Sequence, residues 1–447
     1  TRRLLLCGAL ISSASTQTTA GRLDYQLEAE ALHSDNIART EFDPRTETAL
    51  VPRVRFDFTS EGADLTLRAR GRAEYWHYLD NSFPDEARGE LAAQLSWAVL
   101  PGRLAFVLED YLSEQPVDFR SAEIPGNVQS VNVLVAGATL KGRLAPGTDA
   151  QLDLRVADTY AEQTETFDAT RYGATLSVKR DLSPTSQGSI NVSSTQVDFD
   201  QSQPNIDYSR SDAYLRYEKQ ISRGSFDLDV GRSRIDPEGA RSASTTLLRG
   251  AVTWRASARS EFRLRARRQY ADAVQDLVLR QSDFEDALIA DLADPRILVT
   301  PSAYLQKYAD VQYRYRGDRV TFRLRPQYQK NHYLDDPTDD REIHGLSARV
   351  DYRSRPRLTL FAQGTKRNQD YLTGMREDRD STLAVGFEHR LTRHWKWGAQ
   401  AARSERNSSI PGERISSATI AAPTTPDVFS RSFCSMWSRV SGRSRTV

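Results

Sequence analysis

The sequence predicts an all-β protein: one transmembrane, antiparallel, up-and-down β-barrel of about 18–20 strands. Three observations predict this fold. Apolar and polar residues alternate from Leu23 to Ala402, in segments of about ten residues. Short turns and longer loops separate these segments in strict rotation, and tryptophan and tyrosine residues cluster at the segment ends.

The stretch from Ala63 to Tyr75 illustrates the alternation. Its odd positions are apolar or small and its even positions are polar, so a strand here has one apolar face and one charged face. Hydrophobic residues make up only 38% of the chain, and its mean hydropathy is −0.60. A barrel accommodates this composition, because lipid covers the apolar face and water the charged face. No run approaches the ~18 apolar residues of a membrane-spanning helix.

The connections between segments have two kinds of composition. The short ones are built from turn-forming residues, as in Ser60-Glu61-Gly62 and Pro101-Gly102-Arg103, which favour tight hairpins. The long ones are polar. Outer-membrane barrels have tight periplasmic turns and longer external loops, so this rotation favours a barrel over a soluble secreted β protein such as an adhesin.

The longest connection runs from Ala271 to Pro301 and has apolar residues at helical spacing, among them Val274, Leu277 and Val278. A long connection that contains its own helix is often functional. Three placements are open: a constriction inside the lumen, a lid across its mouth, or a surface excursion without a gating role.

The aromatic residues at the segment ends predict the two membrane interfaces. On the rim with the short turns they are Trp97, Trp254, Trp395 and Trp397, and on the opposite rim Tyr75, Tyr111 and Tyr270. Arg268 lies in the apolar phase of its strand, which only a position near the rim accommodates.

The polar face carries rows of arginine that a barrel would place in its lumen. The predicted lumen-lining residues are Arg53, Arg55, Arg68, Arg70, Arg72, Arg263, Arg265, Arg267, Arg323 and Arg325. Guanidinium groups bind carboxylate and phosphate through two hydrogen bonds, so one interpretation is a path for anionic solutes or acidic glycans. The other interpretation is a lumen whose acidic and basic ladders pair with each other and only hold the barrel in shape.

The overall charge and the absence of catalytic sequence motifs argue against two classes of function, nucleic-acid binding and catalysis. The chain has 61 basic and 60 acidic residues, a net charge of +1, which argues against nucleic-acid binding. Its six histidines form no HExxH pair, and there is no G-x-S-x-G, P-loop or dinucleotide-binding motif. The sequence therefore predicts no enzyme, no catalytic residue, no metal site and no cofactor. A barrel hydrolase with residues assembled across strands stays the alternative.

The two ends of the chain depart from the repeating pattern. Residues 1–20 are predicted to be a signal peptide, with Arg2-Arg3 before a short apolar core and cleavage after Ala20. The barrel is predicted over residues 21–412. From 413 to 447 the alternation stops and serine and arginine dominate. The count therefore ends at about nineteen strands, and the final strand is expected to be missing or altered.

Asp35-Asn36-Ile37 after the first strand, followed by Leu50 to Phe56 in the pattern Leu-x-Pro-x-Val-x-Phe, resembles the start of a bacterial outer-membrane barrel family. The insertion at Ala271 to Pro301 and the tyrosine-rich strand Tyr304 to Tyr315 resemble its later half. That family is associated with PEP-CTERM/exosortase and exopolysaccharide gene clusters and is described as a β-barrel porin. The resemblance covers residues 24–408 and brings no catalytic residues with it.

The resemblance implies a protein of the outer membrane of a Gram-negative bacterium. The expected partners are outer-membrane lipid, the barrel-assembly machinery and components of polysaccharide secretion; nucleic acid is not expected. The expected function is a passive channel or export conduit for exopolysaccharide or other anionic solutes. The alternatives are a surface receptor, an adhesin or a structural protein that acts through its external loops.

Overall fold

The computed structural model describes residues 21–122, 124–201, 207–281, 297–392, 395–426 and 429–432. Within them, antiparallel strands form one continuous sheet. In chain order the strands are β1 Arg22–Ser34, β2 Glu47–Glu61, β3 Leu65–Tyr78, β4 Glu86–Leu100, β5 Leu104–Gln115, β6 Gln129–Ala145, β7 Thr148–Ala161, β8 Ala169–Ser183, β9 Ser186–Phe199, β10 Tyr208–Ile221, β11 Gly224–Pro237, β12 Ala243–Arg255, β13 Ser260–Ala271, β14 Tyr304–Arg316, β15 Val320–Tyr333, β16 Arg341–Arg355, β17 Leu358–Tyr371, β18 Arg376–Arg390, β19 Trp395–Ser408, β20 Ile415–Pro426 and β21 Phe429–Ser432.

The sheet closes on itself. Each strand from β1 to β19 pairs with the next strand along the chain, and β1 also pairs with β20 and β21. These last two strands share one position in the ring: Ala29–Ser34 of β1 pairs with residues 419–424, and Arg22–Tyr25 pairs with residues 429–432. The described residues thus form an antiparallel barrel with twenty strand positions. This confirms the predicted fold class.

The end of the barrel lies further along the chain than the sequence indicated. The predicted barrel stopped at residue 412, yet β20 begins at Ile415 and pairs with both β19 and β1. Of the expectation that the final strand is missing or altered, the first part was wrong, because β20 and β21 together occupy the closing position. Both faces of β20 consist largely of Ser, Ala and Thr, so period two gives little hydrophobic contrast, and pairing to two neighbouring strands fixes the strand instead.

Side chains alternate between an apolar outer face and a polar inner face. Leu215, Leu383 and Ile420 are 61%, 62% and 60% exposed on the outer face. Apolar surface of this extent is stable only in lipid, whereas the charged inner face needs water. The protein therefore spans a membrane as a barrel, and its even number of antiparallel strand positions is that of the Gram-negative outer membrane.

The helices in the described ranges are short. They are α1 Ala273–Gln281 and two single turns of 3-10 helix, Glu165–Phe167 and Pro337–Asp339. In this part of the chain no helix is long and apolar enough to cross a membrane. The predicted signal peptide, residues 1–20, lies outside the described residues and stays a prediction.

Candidate functional site

The interior of the barrel contains a cavity of about 1410 Å³. Among the described residues, its positive lining side chains are all arginine: Arg39, Arg55, Arg70, Arg72, Arg88, Arg216, Arg249, Arg265, Arg267, Arg325 and Arg367. Its acidic lining residues are Asp24, Asp57, Glu74, Glu90, Glu114, Glu218, Asp227, Asp229 and Asp276. Eleven arginines against nine carboxylates give this wall an excess of two positive charges.

The structure places most of the predicted lumen arginines on the inner face. Six line the central cavity: Arg55, Arg70, Arg72, Arg265, Arg267 and Arg325. Arg53 is also inside, and its guanidinium contacts Glu28, Glu30 and Glu74 at 3.0, 3.2 and 2.6 Å. Two more, Arg263 and Arg323, line a small side cavity between β13 and β17. Arg68 lies near a short turn, is 55% exposed and pairs with Glu61 at 2.7 Å.

Many of these arginines are held by carboxylates. Arg216 makes two hydrogen bonds to Asp229, at 2.7 and 2.8 Å. Arg265 and Arg325 share Asp310, at 2.9 and 3.3 Å, so that this trio carries one net positive charge. The interpretation of the polar face as a salt-bridged wall therefore holds for part of the lumen.

Arg267 differs from its neighbours. Its guanidinium lies 4.5 Å from the centre of the Tyr308 ring, a cation–π contact. No carboxylate of the described residues forms an ion pair with it. A cation that faces a water-filled cavity without a protein counter-ion is available to a passing anion.

The positive charge is concentrated on one part of the wall. On β13 to β16 the inward-facing acidic residues are Glu261, Asp310 and Asp351. Apart from Arg316 and Arg353, which have the same phase but lie exposed beside the short turns, the inward-facing arginines of the same strands are Arg263, Arg265, Arg267, Arg314, Arg323, Arg325, Arg341 and Arg349. These eight cations against three anions leave an excess of five, so the field along these four strands is positive.

The segment after β13 turns inward. Asp272 accepts hydrogen bonds from Arg171 Nη1 on β8 and Tyr208 Oη on β10, at 2.7 and 2.5 Å. Asp276 of α1 accepts one from Tyr304 Oη of β14 at 2.6 Å. Burial alone would raise the pKa of Asp272, but the charges of Arg171 and Arg210 outweigh it and lower this pKa to about 2. The start of the segment is therefore tied to the wall by an ionised carboxylate.

The other face of α1 packs on a distant part of the wall. Val274 and Leu277 are buried against a cluster that includes Ala92 of β4, Tyr111 of β5 and Val131 of β6. In a ring of twenty positions, β4 to β6 lie roughly half-way round from β13 and β14. The described part of the insertion thus crosses the lumen. Of the three placements that the sequence left open, this is the constriction inside the lumen. The rest of its helical pattern, residues 282–296, lies outside the described residues.

A second connection, residues 116–128 between β5 and β6, also reaches across the lumen. Arg120 Nη2 donates to Asp339 Oδ1 at 2.8 Å in the connection before β16. Arg376 and Arg406 donate to the carbonyl oxygen of Arg120, at 2.6 and 2.7 Å. Phe119 is buried, and the centre of its ring lies 4.0 Å from the guanidinium carbon of Arg341. This crossing was not predicted from the sequence, where its one local signal is an aromatic residue beside an arginine in a long polar loop.

The aromatic residues divide into two groups. Trp97, Trp254, Trp395 and Trp397 are 50%, 49%, 52% and 39% exposed on the outer face near the short turns. Trp254 stacks on Phe262 with the ring centres 5.7 Å apart. Tyr75, near the opposite rim, is 45% exposed. These positions fit a membrane interface, where amphipathic rings are stable.

The interface prediction was wrong for Tyr111 and Tyr270, which are 2% and 5% exposed. Tyr111 occupies an inward position of β5, where Gln94 Nε2 donates to its hydroxyl group at 2.7 Å. Tyr270 packs with Tyr208 and Ile235 inside the barrel, because the chain bends inward at Ala271. Nearness to a strand end does not by itself reveal the face on which a ring lies.

Comparisons with known proteins give structural likeness only. No family model and no curated protein matches this chain. A variant of the ferric enterobactin receptor PfeA of Pseudomonas aeruginosa aligns with 11% identity over 91% of this chain and 80% of that chain, with a TM-score of 0.48. OpdK of the same species, with vanillate, gives 9% identity over 92% and 99%, and a TM-score of 0.38. OprD of P. aeruginosa gives 12% over 94% and 98%, with a TM-score of 0.36.

Proposed function

We propose that this protein is an outer-membrane channel for small anionic solutes, with a lumen narrowed by α1 and by residues 116–128. The observation that carries the proposal is Arg267, which faces the central cavity, stacks on Tyr308 and forms no ion pair in the described residues. The excess of five arginines on β13 to β16 adds to it.

The chemistry of this wall suits passage better than tight retention. A channel needs sites that favour entry and are weak enough to release the solute. Arg265 and Arg325 are partly neutralised by Asp310, so they attract an anion less strongly than free guanidinium groups would. A carboxylate or phosphate can then move from the guanidinium group of one arginine to that of the next.

We propose acidic exopolysaccharide as a finer assignment of the cargo. It rests on the resemblance at Asp35-Asn36-Ile37 and at Leu50 to Phe56. Uronate carboxylates would meet the same arginines, and sugar rings would pass Tyr25 and Trp76, whose rings line the same cavity. Block of the channel current by short uronic-acid oligomers, with no block by neutral oligomers of equal length, is the expected result.

Planar-bilayer recording tests the channel. In a KCl gradient we expect the reversal potential of an anion-selective pore. Arg267→Gln should lower the anion-to-cation permeability ratio about twofold, since one charge ~8 Å from a permeating ion in water contributes ~0.5 kcal/mol. Arg180→Gln is the matched control, because Arg180 is exposed on the outer face of β8 in phase with Leu176.

The outcomes separate the alternatives. A cation-selective pore, or equal loss of selectivity in both variants, would refute the arginine path. A protein that stays silent even when α1 is detached from the wall would favour a receptor, an adhesin or a structural protein that acts through its external loops.

A further inference from the structure

Three cations form a row on the outer face of the barrel. Arg268 of β13 pairs directly with Lys307 of β14, and Lys307 pairs directly with Lys330 of β15. Each lies three residues from the end of its strand on the side of the long connections. Like charges at directly opposed positions repel each other, so an anion beside a row of three would stabilise it.

The row is on the lipid side. Arg268 is in phase with Leu264, which is 44% exposed, and Lys307 is in phase with Val311, which is 38% exposed. Lys330 belongs to the outward phase of β15, opposite to the buried residues of that strand. Arg268 is an exception in the apolar phase of its own strand, and its cross-strand neighbours Lys307 and Lys330 make it part of a row.

Within the described residues, a carboxylate pairs with only one of the three cations. Lys330 Nζ pairs with Glu342 at 2.8 Å. Among the described residues, the Arg268 guanidinium donates hydrogen bonds only to the hydroxyl group of the buried Thr245, at 3.2 and 3.3 Å. Lys307 forms no hydrogen bond or ion pair within the described ranges. Two adjacent exposed cations, Arg268 and Lys307, thus have no counter-ion in the part of the chain that the structure describes.

The depth of the row indicates what lies beside it. Phe262, which stacks on Trp254 at the short-turn rim, precedes Arg268 by six residues. At ~3.3 Å per residue and a strand tilt of ~40°, this is ~15 Å along the membrane normal, inside an apolar band ~25 Å tall. Long cationic side chains at such a depth extend toward the headgroups. They reach the external leaflet, because the long connections of such barrels are external.

We propose that Arg268, Lys307 and Lys330 form a binding site for the phosphate groups of an anionic lipid in the external leaflet. The guanidinium can bind a phosphate through two hydrogen bonds, and the two ammonium groups add point charges on the same side. The Leu264 and Val311 side chains below the row lie where the acyl chains of that lipid would pass.

The test uses the full chain in nanodiscs of phosphatidylcholine that contain a small fraction of lipid A, either diphosphorylated or fully dephosphorylated. Native mass spectrometry measures how much lipid A each particle retains. We expect the wild type to retain the diphosphorylated form preferentially. Arg268→Gln/Lys307→Gln should reduce this retention by about tenfold. Heat-modifiable migration in gels should stay unchanged, because neither residue supports the fold through an ion pair.

Arg180→Gln/Lys219→Gln is the matched control, since it removes one arginine and one lysine from the outer face near the short turns. It should retain the lipid like the wild type. Equal retention by the two double variants, or retention of dephosphorylated lipid A as good as that of the diphosphorylated form, would overturn the proposal. Retention by the single variant Lys307→Gln is a second measurement, because Lys307 forms no hydrogen bond or ion pair with a described residue that its replacement would remove.

Discussion

Leu264 and Arg265 are consecutive residues of β13 with opposite surroundings. Leu264 is 44% exposed on the outer face, whereas Arg265 lines the central cavity and binds Asp310. An arginine on the lipid face of a barrel costs ~2–4 kcal/mol at the bilayer midplane. Leu264 lies two residues beyond Phe262, between the rim and the midplane, where this cost is smaller. Leu264→Arg should therefore lower the free energy of unfolding in vesicles by about 1–3 kcal/mol, measured by urea titration of heat-modifiable migration. Leu264→Val is the control and should lose less than ~1.5 kcal/mol.

The inner face should tolerate a change of charge that the outer face does not. Arg267→Gln should unfold at the same urea concentration as the wild type, because no described carboxylate loses a partner. An unfolding midpoint for Arg267→Gln that falls as far as that of Leu264→Arg would mean that the two faces are not distinct.

Asp272 makes the hold on α1 depend on pH. Its pKa is lowered to about 2 in the folded protein, from about 3.9 in an unfolded chain. A lowered carboxyl pKa contributes stability above the unfolded value and loses it as the pH falls through the folded value. The noise of the open-channel current should thus stay constant from neutral pH to about 4 and rise between about 4 and 2. Asp272→Asn should show high noise at every pH; a rise near pH 6 in the wild type would exclude Asp272 as its cause.

At the scale of elements, α1 is a bridge between two parts of the wall. Asp272→Asn leaves Arg171 buried without a carboxylate, and loss of one partner from a buried pair costs roughly 3–5 kcal/mol. We expect the bridge to detach before the barrel unfolds, since each barrel strand pairs with two neighbours and the bridge has few contacts. A cysteine at Val274 should then react with a water-soluble maleimide at least about tenfold faster.

The double variant Arg171→Gln/Asp272→Asn supplies the control for this prediction. It removes both charges together and should restore most of the slow labelling, because an amide pair can form a neutral hydrogen bond in the same place. Equal labelling rates for Val274→Cys with and without Asp272→Asn would show that the apolar contacts of Val274 and Leu277 hold the helix by themselves.

The elements differ in how much of them the sequence reveals. Period-two alternation is local, so it predicts strands such as β3 and β13 and the inward phase of Arg70 and Arg265. The helical spacing of Val274 and Leu277 likewise predicts α1, and the structure adds where it packs. The crossing of residues 116–128 depends on contacts such as Arg120 to Asp339, which are 219 positions apart in the chain. No local pattern encodes such a contact.

At the scale of the whole molecule, the charges of the barrel form two separate systems. The inner arginines of β13 to β16 face water, and the row of Arg268, Lys307 and Lys330 lies on the opposite face of the same strands. The alternation of a strand keeps the two sets on opposite sides of one sheet. Substitutions at odd positions of β13 therefore alter the solute path, and substitutions at even positions alter the lipid contact. Each can change without the other.

Closure of the barrel depends on residues that show no clear pattern in the sequence. β20 supplies the partners of β1 from Ala29 to Ser34 and of β19 from Gln400 to Arg406. A chain that stops after residue 412 would leave both edges unpaired in the membrane, where each unsatisfied backbone group costs several kcal/mol. We expect this truncation to lack heat-modifiable migration and to be degraded by added protease, whereas a chain that stops after residue 432 should behave like the full chain. If the shorter chain folds as stably as the longer one, the pairing of β20 with β1 does not close the barrel.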